Sequence, residues 1–211
     1  MIRKYFPFLL LAALPLLAAE KPEKGFTSLF NGKDLTGWKV NENNDTFSVK
    51  DGAIVAHGPR SHCFYVGRFG GHEFTDFELK VDVKTEPGAN GGIYIMTAYQ
   101  DKGWPGKGFE CQVNNSFVKD PRKTASLYEV ADNKDDVAKD NEWFTEHIIA
   151  KGNTITIKVN DKQIVQWTQP AGWNGTKGFA ERKIGAGTIA LQGHDAGSTV
   201  HYKNIRIRIL K

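Results

Sequence analysis

The segment FECQVN at residues 109–114 alternates apolar and polar side chains, and this alternation decides the fold. Successive side chains of a β-strand point to opposite faces, so a period of two is typical of a strand with one buried face. The apolar members are expected to face a core, which leaves Glu110, Gln112 and Asn114 in a row on the other face. An acid beside two amides favours a surface that binds hydroxyl groups, although an ordinary solvated strand face would alternate in the same way.

The same period recurs along the chain, and turn-forming residues separate the periodic segments. No stretch after the N-terminal segment carries a convincing helical stripe. Asn160-Asp161 separates two of the strands closely enough to predict a hairpin. The sequence therefore predicts an all-β fold with two antiparallel sheets, a two-layer sandwich or jelly roll. Its clearest further strands are expected at residues 77–83, 93–96, 155–159, 164–167, 189–194 and 205–209.

The N-terminal segment predicts export. Arg3 and Lys4 precede an apolar run that ends at Leu17, and the small residues Ala18 and Ala19 follow. A basic start, a short apolar run and a small-residue junction are typical of a secretory signal peptide. We expect residues 1–19 to be that peptide, residues 20–24 to be a short linker and residues 25–211 to be one domain. The protein is then periplasmic or secreted.

Charge and cysteine content limit the possible partners. Cleavage after residue 19 would remove two basic residues and no acid, so the net charge would fall from +4 to +2. This balance predicts no nucleic-acid partner and, after cleavage, no membrane partner. The two cysteines, Cys63 and Cys111, could pair in an exported protein or remain buried thiols. The sequence leaves the oligomeric state open.

A second segment is expected to contribute to the same surface. If residues 189–194 form a strand with Ile189 and Leu191 in the core, Gln192 and His194 project to the opposite side. Asp195 follows directly, where a carboxylate could orient the imidazole. A lone histidine at a strand end is more commonly a surface residue, so the prediction depends on the two segments sharing a sheet.

The other histidines, at positions 57, 62, 72, 147 and 201, are interpreted as surface residues. No His or Cys spacing suggests a transition-metal site. No cofactor is predicted, and a divalent cation held by loop oxygens is left open.

Flanking segments supply candidate sugar contacts. Asn90, Gly92, Tyr94 and Met96 share one parity, and the glycine is expected to leave space for a ligand. Trp104 lies in the loop before residue 109.

The polar connection at residues 115–139, which contains Tyr128, is expected to shape the rim of a site. Aromatic rings at such positions pack against the C–H faces of sugars.

Ordinary retaining glycoside hydrolysis is disfavoured on this strand. It needs two carboxyl groups about 5–5.5 Å apart. The residue two positions after Glu110, on the same face of the strand, is Gln112, and its amide cannot act as the nucleophile. A second carboxylate could come from a loop, through Glu129 or Asp195.

A series of motifs runs through the chain in this order: SLFNGKDLTGW at 28–38, DGAIV at 51–55, DFEL at 76–79, NGGIY at 90–94, GFECQ at 108–112, Trp143, LQGH at 191–194 and YKNIR at 202–206. Together they resemble the motifs of the bacterial 3-keto-disaccharide hydrolase domain family. The resemblance covers nearly all of residues 25–211. One departure is Met96, where many relatives carry Arg, so any contact made by that Arg is absent here.

The resemblance implies a concanavalin A-like jelly roll and hydrolysis of glycosides oxidised to a ketone at C3. Such a ketone acidifies the C2 hydrogen, so the reaction needs only a base, an acid and donors to an enolate oxygen. We expect Glu110 or His194 to be the base and the other to be the acid. The substrate-binding residues are expected to be Asn90, Trp104, Gln112, Asn114, Tyr128, Gln192 and Asp195.

Two alternatives stay open at this stage. A non-catalytic carbohydrate-binding module could use the same sandwich and the same row of polar residues. A conventional glycoside hydrolase could recruit a loop carboxylate.

Overall fold

The structure is a computed structural model that describes residues 23–176 and 178–211. The predicted signal peptide and most of the predicted linker lie outside the described residues, so cleavage after Ala19 stays a prediction. Within the described ranges, no helix has the length and apolar character needed to cross a membrane.

The regular secondary structure of the described residues is almost wholly β-strand, with short 3-10 helices at Asn44–Thr46 and Phe69–His72. In chain order the strands are β1 (Thr27–Ser28), β2 (Trp38–Val40), β3 (Phe47–Lys50), β4 (Ala53–His57), β5 (Ser61–Tyr65), β6 (Phe77–Thr85), β7 (Asn90–Thr97), β8 (Phe109–Asn114), β9 (Phe144–Lys151), β10 (Thr154–Val159), β11 (Lys162–Thr168), β12 (Thr188–Gly193) and β13 (Thr199–Ile209).

Two antiparallel sheets pack face to face, which confirms the predicted sandwich. The larger sheet has the order β11-β10-β9-β6-β13-β4-β3, with β1 paired to β13. The smaller sheet has the order β2-β5-β12-β7-β8. Alternate residues from both sheets fill the space between them, so each sheet has a core face and an outer face.

The predicted alternation at residues 109–114 is confirmed. Phe109, Cys111 and Val113 are fully buried in the core. The predicted hairpin is confirmed as well, because β10 and β11 are joined through Asn160 and Asp161, both with positive φ (48° and 66°). Two such residues form the turn whose twist matches a β-hairpin.

The edge of the smaller sheet is covered by the connection that follows β8. Ala125 N–H donates to the Gln112 carbonyl, and Tyr128 N–H donates to the Glu110 carbonyl. Unpaired edges invite association with other chains, so this pairing protects the edge of β8. It also fixes the rim of the outer face, as the polar connection was expected to do.

Cys63 and Cys111 are buried free thiols. Cys63 lies on β5 and Cys111 on β8, with β12 and β7 between them. Three inter-strand steps of about 4.8 Å place the two far beyond the Cα separation of about 4.4–6.8 Å that a disulfide needs.

Glu146 on β9 is a carboxyl group inside the apolar core. Its side chain is fully buried, and neither carboxyl oxygen has a hydrogen-bond partner among the described residues. Burial raises the pKa of Glu146 well above its usual value, so the folded protein holds it neutral.

We expect the stability of the fold to fall as pH rises, because of Glu146. The unfolded chain ionises this group above its ordinary pKa of 4.5, whereas the folded chain keeps the proton. The free energy of unfolding should therefore lose up to about 1.4 kcal/mol per pH unit in that range. Urea denaturation from pH 5 to 8 should show a shallower pH dependence for Glu146→Gln than for the wild type. Glu142→Gln, an exposed change in the same segment, should keep the wild-type slope; equal slopes for all three proteins would contradict the assignment.

Candidate active site

The outer face of the smaller sheet brings together polar residues from three strands. Tyr94 of β7 lies opposite Glu110 of β8, and Gly92 lies opposite Gln112. On the other side of β7, Ala190 of β12 lies opposite Tyr94. The two predicted site segments therefore share a sheet, with β7 between them.

Glu110 is the central group of this face. Tyr94 Oη donates to one carboxyl oxygen at 2.8 Å, and Gln192 Nε2 donates to the other at 2.7 Å. Only 6% of the Glu110 residue is exposed, and desolvation raises the pKa of its carboxyl group to about 7. The two hydrogen bonds and the nearby Arg182 act in the opposite direction and lower that pKa. The result is a carboxyl group poised to exchange a proton near neutral pH.

Gly92 is required by the position of this carboxyl group. A Cβ atom at residue 92 would lie 2.7 Å from Glu110 Oε1. The space above Gly92, expected from the sequence to admit a ligand, is therefore filled by the carboxyl group of Glu110.

The amides beside Glu110 keep unused acceptors. Gln112 Nε2 donates to Asn90 Oδ1 at 3.2 Å, while the Oε1 atoms of Gln112 and Gln192 are buried without a hydrogen-bond partner among the described residues. A buried acceptor without a partner is costly.

Asn114 does not line the pocket that these residues form. Its Nδ2 donates to the carbonyls of Phe117, Asp120 and Arg122, and its Oδ1 accepts from the Phe117 N–H. The side chain folds the connection after β8, which uses the groups that a sugar would need. The structure thus gives Asn114 a scaffolding position rather than the expected ligand position.

His194 lies just beyond β12 and is held from two sides. Its Nδ1 is 2.6 Å from Asp195 Oδ2, and that carboxylate also accepts from Ser198 Oγ. Trp104 packs beside the imidazole with ring centroids 5.4 Å apart. The contact with Asp195 occupies Nδ1 of His194, so Nε2 is the ring nitrogen available for proton transfer.

These side chains line one pocket of about 150 Å³. It brings Glu110 and His194 together, as the register predicted. Asp195 reaches it only through His194. The lining residues are Asn90, Tyr94, Trp104, Glu110, Gln112, Asp120, Tyr128, Glu129, Phe179, Arg182, Gln192 and His194.

Three of these lining residues, all on irregular segments, were not predicted from the sequence: Asp120, Phe179 and Arg182. Glu129, considered as a second carboxylate, also lines the pocket. Arg182 is 3% exposed, and its Nη1 lies within hydrogen-bond distance of the Tyr128 carbonyl, Glu129 Oε2 and Thr176 Oγ1. Its guanidinium carbon is 4.3 Å from the Phe179 ring centre. It brings a buried positive charge to the pocket.

A second arginine, Arg122, also lies against the Tyr128 ring. Its guanidinium carbon lies 4.5 Å from the Tyr128 ring centre, and it pairs with Asp120, Glu129 and Asp132 at 3.2–3.5 Å. Both loop carboxylates of the pocket are therefore in ion pairs with arginine.

Two further expectations were wrong. Met96 has φ of 54° beside a register shift and is turned into the core, not onto the site face. His62 and His147 are not surface residues: His62 is fully buried opposite Gln192, and His147 on β9 is 7% exposed. Among the described residues, no cluster of three or more His, Cys, Asp or Glu side chains is arranged to hold a metal ion.

Residues 25–208 match the family described as the 3-keto-alpha-glucoside-1,2-lyase-like domain. The chain belongs to this family. The resemblance inferred from the sequence motifs is thereby confirmed.

Individual comparisons agree with membership of the 3-keto-alpha-glucoside-1,2-lyase-like family. A Bacteroides thetaiotaomicron protein named 3-keto-disaccharide hydrolase is 25% identical, over 88% of this chain and 79% of its own length.

Two solved structures share the fold of this family member. A candidate glycosyl hydrolase from Parabacteroides distasonis superposes with a TM-score of 0.74 at 24% identity, covering 89% of this chain and 94% of that one. The carbohydrate-binding module CBM66 from Bacillus subtilis superposes with a TM-score of 0.58 at 14% identity, covering 82% and 95%. At these identities the likeness concerns the sandwich alone.

Tyr94→Phe should raise the pKa of Glu110 further above 7. The substitution removes a donor that stabilises the ionised carboxylate and leaves the desolvation unchanged. NMR titration of protein labelled with 13C at the glutamate carboxyl carbons would measure the change. Tyr99→Phe is the control, because Tyr99 packs on Phe64 and Lys39 instead. A Glu110 pKa unchanged in Tyr94→Phe would show that this hydrogen bond does not tune the acid.

Proposed function

We propose that this protein cleaves 3-keto-glycosides by elimination and water addition. The observation that carries the proposal is the desolvated Glu110 carboxyl group, which has a pKa of about 7 and shares a pocket with the His194–Asp195 pair. Family membership and the relative named 3-keto-disaccharide hydrolase support a carbohydrate-active, glycosidase-type enzyme.

The first step is removal of the C2 proton. The C3 ketone makes this C–H bond acidic, since the electron pair can delocalise onto the ketone oxygen as an enolate. In its ionised form Glu110 takes the proton. A desolvated carboxylate with a pKa near 7 is a stronger base than an exposed one and is still about half ionised at neutral pH.

The second step expels the leaving group at C1. The enolate electrons re-form the ketone and create a C1–C2 double bond while the C1–O bond breaks. His194 Nε2 donates a proton to the departing oxygen, and Asp195 stabilises the imidazolium that supplies it. Water then adds to C1 of the enone, and C2 recovers a proton, which completes a net hydrolysis.

Other groups of the pocket stabilise and orient the sugar. Arg182 provides a positive charge for the developing enolate. The amide side chains of Gln112 and Gln192 line the pocket and orient the sugar hydroxyl groups. Tyr128 forms an apolar wall for the C–H face of the ring, and Trp104 lines the pocket on the His194 side.

The paired loop carboxylates favour elimination over a double-displacement mechanism. Asp120 is bound by Arg122, and Glu129 is bound by both Arg122 and Arg182. A retaining glycosidase would need one of them as a free nucleophile next to Glu110.

Export is part of the proposal and is supported by the basic, then apolar, N-terminal segment at residues 1–19. Intact mass of protein recovered from the periplasm or medium should correspond to a chain that starts at residue 20. A protein that retains residue 1 would contradict it.

Glu110→Gln should lower the turnover of a 3-keto-glucoside by roughly 10²–10⁴-fold, since an amide cannot take the C2 proton. His194→Ala should lower turnover of substrates with poor leaving groups and have less effect with a nitrophenyl leaving group, which needs no proton. Product formation followed by mass spectrometry would measure both. Wild-type rates in both variants would contradict the assignment.

The alternatives make different predictions in the same assays. Turnover of an unoxidised glycoside by the wild type would indicate a conventional hydrolase. Tight calorimetric binding of unoxidised glycan, with no product from oxidised or unoxidised sugar, would indicate a binding module.

The pH profile should report the protonation of Glu110. Below about pH 7 the carboxyl group already carries a proton and cannot accept another. For a nitrophenyl 3-keto-glucoside, whose leaving group needs no proton from His194, kcat/KM should therefore rise with pH and level off above 7. Initial rates between pH 5 and 9 would measure this. A profile that is flat down to pH 5 would exclude Glu110 as the base.

A further inference from the structure

His62 on β5 is a buried polar side chain that takes no part in the catalytic mechanism proposed above. The residue is fully buried, and neither ring nitrogen has a hydrogen-bond partner among the described residues. It lies opposite Gln192 on the outer face of the smaller sheet, next to the pocket. Leaving polar atoms in this state is costly unless a ligand uses them.

Trp104 covers His62. The two ring centroids are 5.6 Å apart and nearly perpendicular, and Tyr94 packs on His62 at 5.4 Å. The indole also contacts His194 at 5.4 Å and Arg60 at 5.2 Å. Trp104 thus lies between two imidazoles, one in the proposed catalytic pair and one without a role.

The indole of Trp104 is held by ring contacts alone. Its N–H makes no hydrogen bond to the described residues, whereas those of Trp38 and Trp173 donate to backbone carbonyls. The side chain is 38% exposed.

The backbone around Trp104 is, by contrast, held by several hydrogen bonds. Gln100 bonds to the Lys102 and Trp104 carbonyls and to the Gly106 N–H, and Glu42 accepts from Gly103. The indole can therefore turn while its loop stays in place.

The pocket is too small for a two-ring substrate. Its volume is about 150 Å³, against about 300–1,000 Å³ for typical ligand sites. One sugar ring beside Glu110 would fill it. A second ring needs space on the side of His194, where the departing oxygen lies and where Trp104 now stands.

We propose that Trp104 is a rotating cover over a second sugar subsite whose floor is His62. Turning the indole aside frees the space that it occupies against His62, joins that space to the pocket and lets the ring leaving with the C1 oxygen lie there. This inference rests on the proposed function, because it assigns the departing ring of a 3-keto-disaccharide to that position.

His62 is suited to bind two hydroxyl groups at once. Burial lowers its pKa to about 3, so the ring is neutral at working pH. A neutral imidazole donates from one nitrogen and accepts at the other. Adjacent sugar hydroxyl groups offer the matching acceptor and donor.

The test measures binding in the Glu110→Gln background, where turnover is blocked. Dissociation constants are determined by calorimetry for a 3-keto-disaccharide and for methyl 3-keto-glucoside, which lacks the second ring. Adding His62→Phe keeps the ring packing but removes both nitrogens. It should weaken disaccharide binding roughly five- to ten-fold and leave the methyl glycoside within about two-fold. His57→Phe, an exposed change on β4, is the matched control and should alter neither constant.

A second measurement follows the indole itself. The disaccharide should change the tryptophan fluorescence, Trp104→Phe should abolish that change, and the methyl glycoside should produce little of it. Equal effects of His62→Phe on both ligands, no effect on either, no binding of the disaccharide, or the same fluorescence change with both ligands would overturn the subsite. Turnover of the methyl glycoside by the wild type tests the proposed function separately, so the two can fail independently.

Discussion

The site depends on shielding the carboxyl group of Glu110 from water, although this residue lies on the outer face of a sheet. Removing Glu110 from water opposes its ionisation, and two donors on neighbouring strands partly restore it. The balance holds only because Gly92 leaves room for the carboxyl group and the antiparallel register fixes Tyr94 opposite it. Strands, unlike loops, hold such distances to within a few tenths of an ångström, which suits a group whose chemistry depends on its surroundings.

The loops contribute charge and enclosure. The guanidinium carbons of Arg122 and Arg182 lie 4.5 and 5.9 Å from the Tyr128 ring centre, and both arginines pair with the carboxylates around it. The connection after β8 is anchored by Asn114 and by backbone pairing to that strand, so it behaves as an extension of the sheet. The pocket therefore has a rigid floor and a braced rim, and the exposed indole is its least constrained wall.

Periodicity predicted the sandwich and the floor of the pocket, because a period of two determines which side chains share a face. It placed Glu110, Gln112 and Gln192 correctly on one side of the sheet. It was wrong at Met96, where a positive φ and a shift in register reverse the facing of one residue, a local event that alternation cannot reveal. Arg182 and Asp120 reach the pocket from irregular segments, whose path is set by tertiary contacts. His62 was misread because a single histidine has no sequence pattern. Its position beside Cys63 and Phe64, both of which are buried, was the available indication that this strand has little exposed surface.

Both thiols lie in the packed interior, and burial raises the pKa of each above its usual value, so thiolate is scarce at neutral pH. No crosslink contributes to the stability of the described sandwich. The same native state is therefore reached under reducing and oxidising conditions, without a disulfide-forming catalyst. The domain at residues 25–211 therefore needs no oxidising compartment in order to fold, and a thiol reductant leaves its interior unchanged.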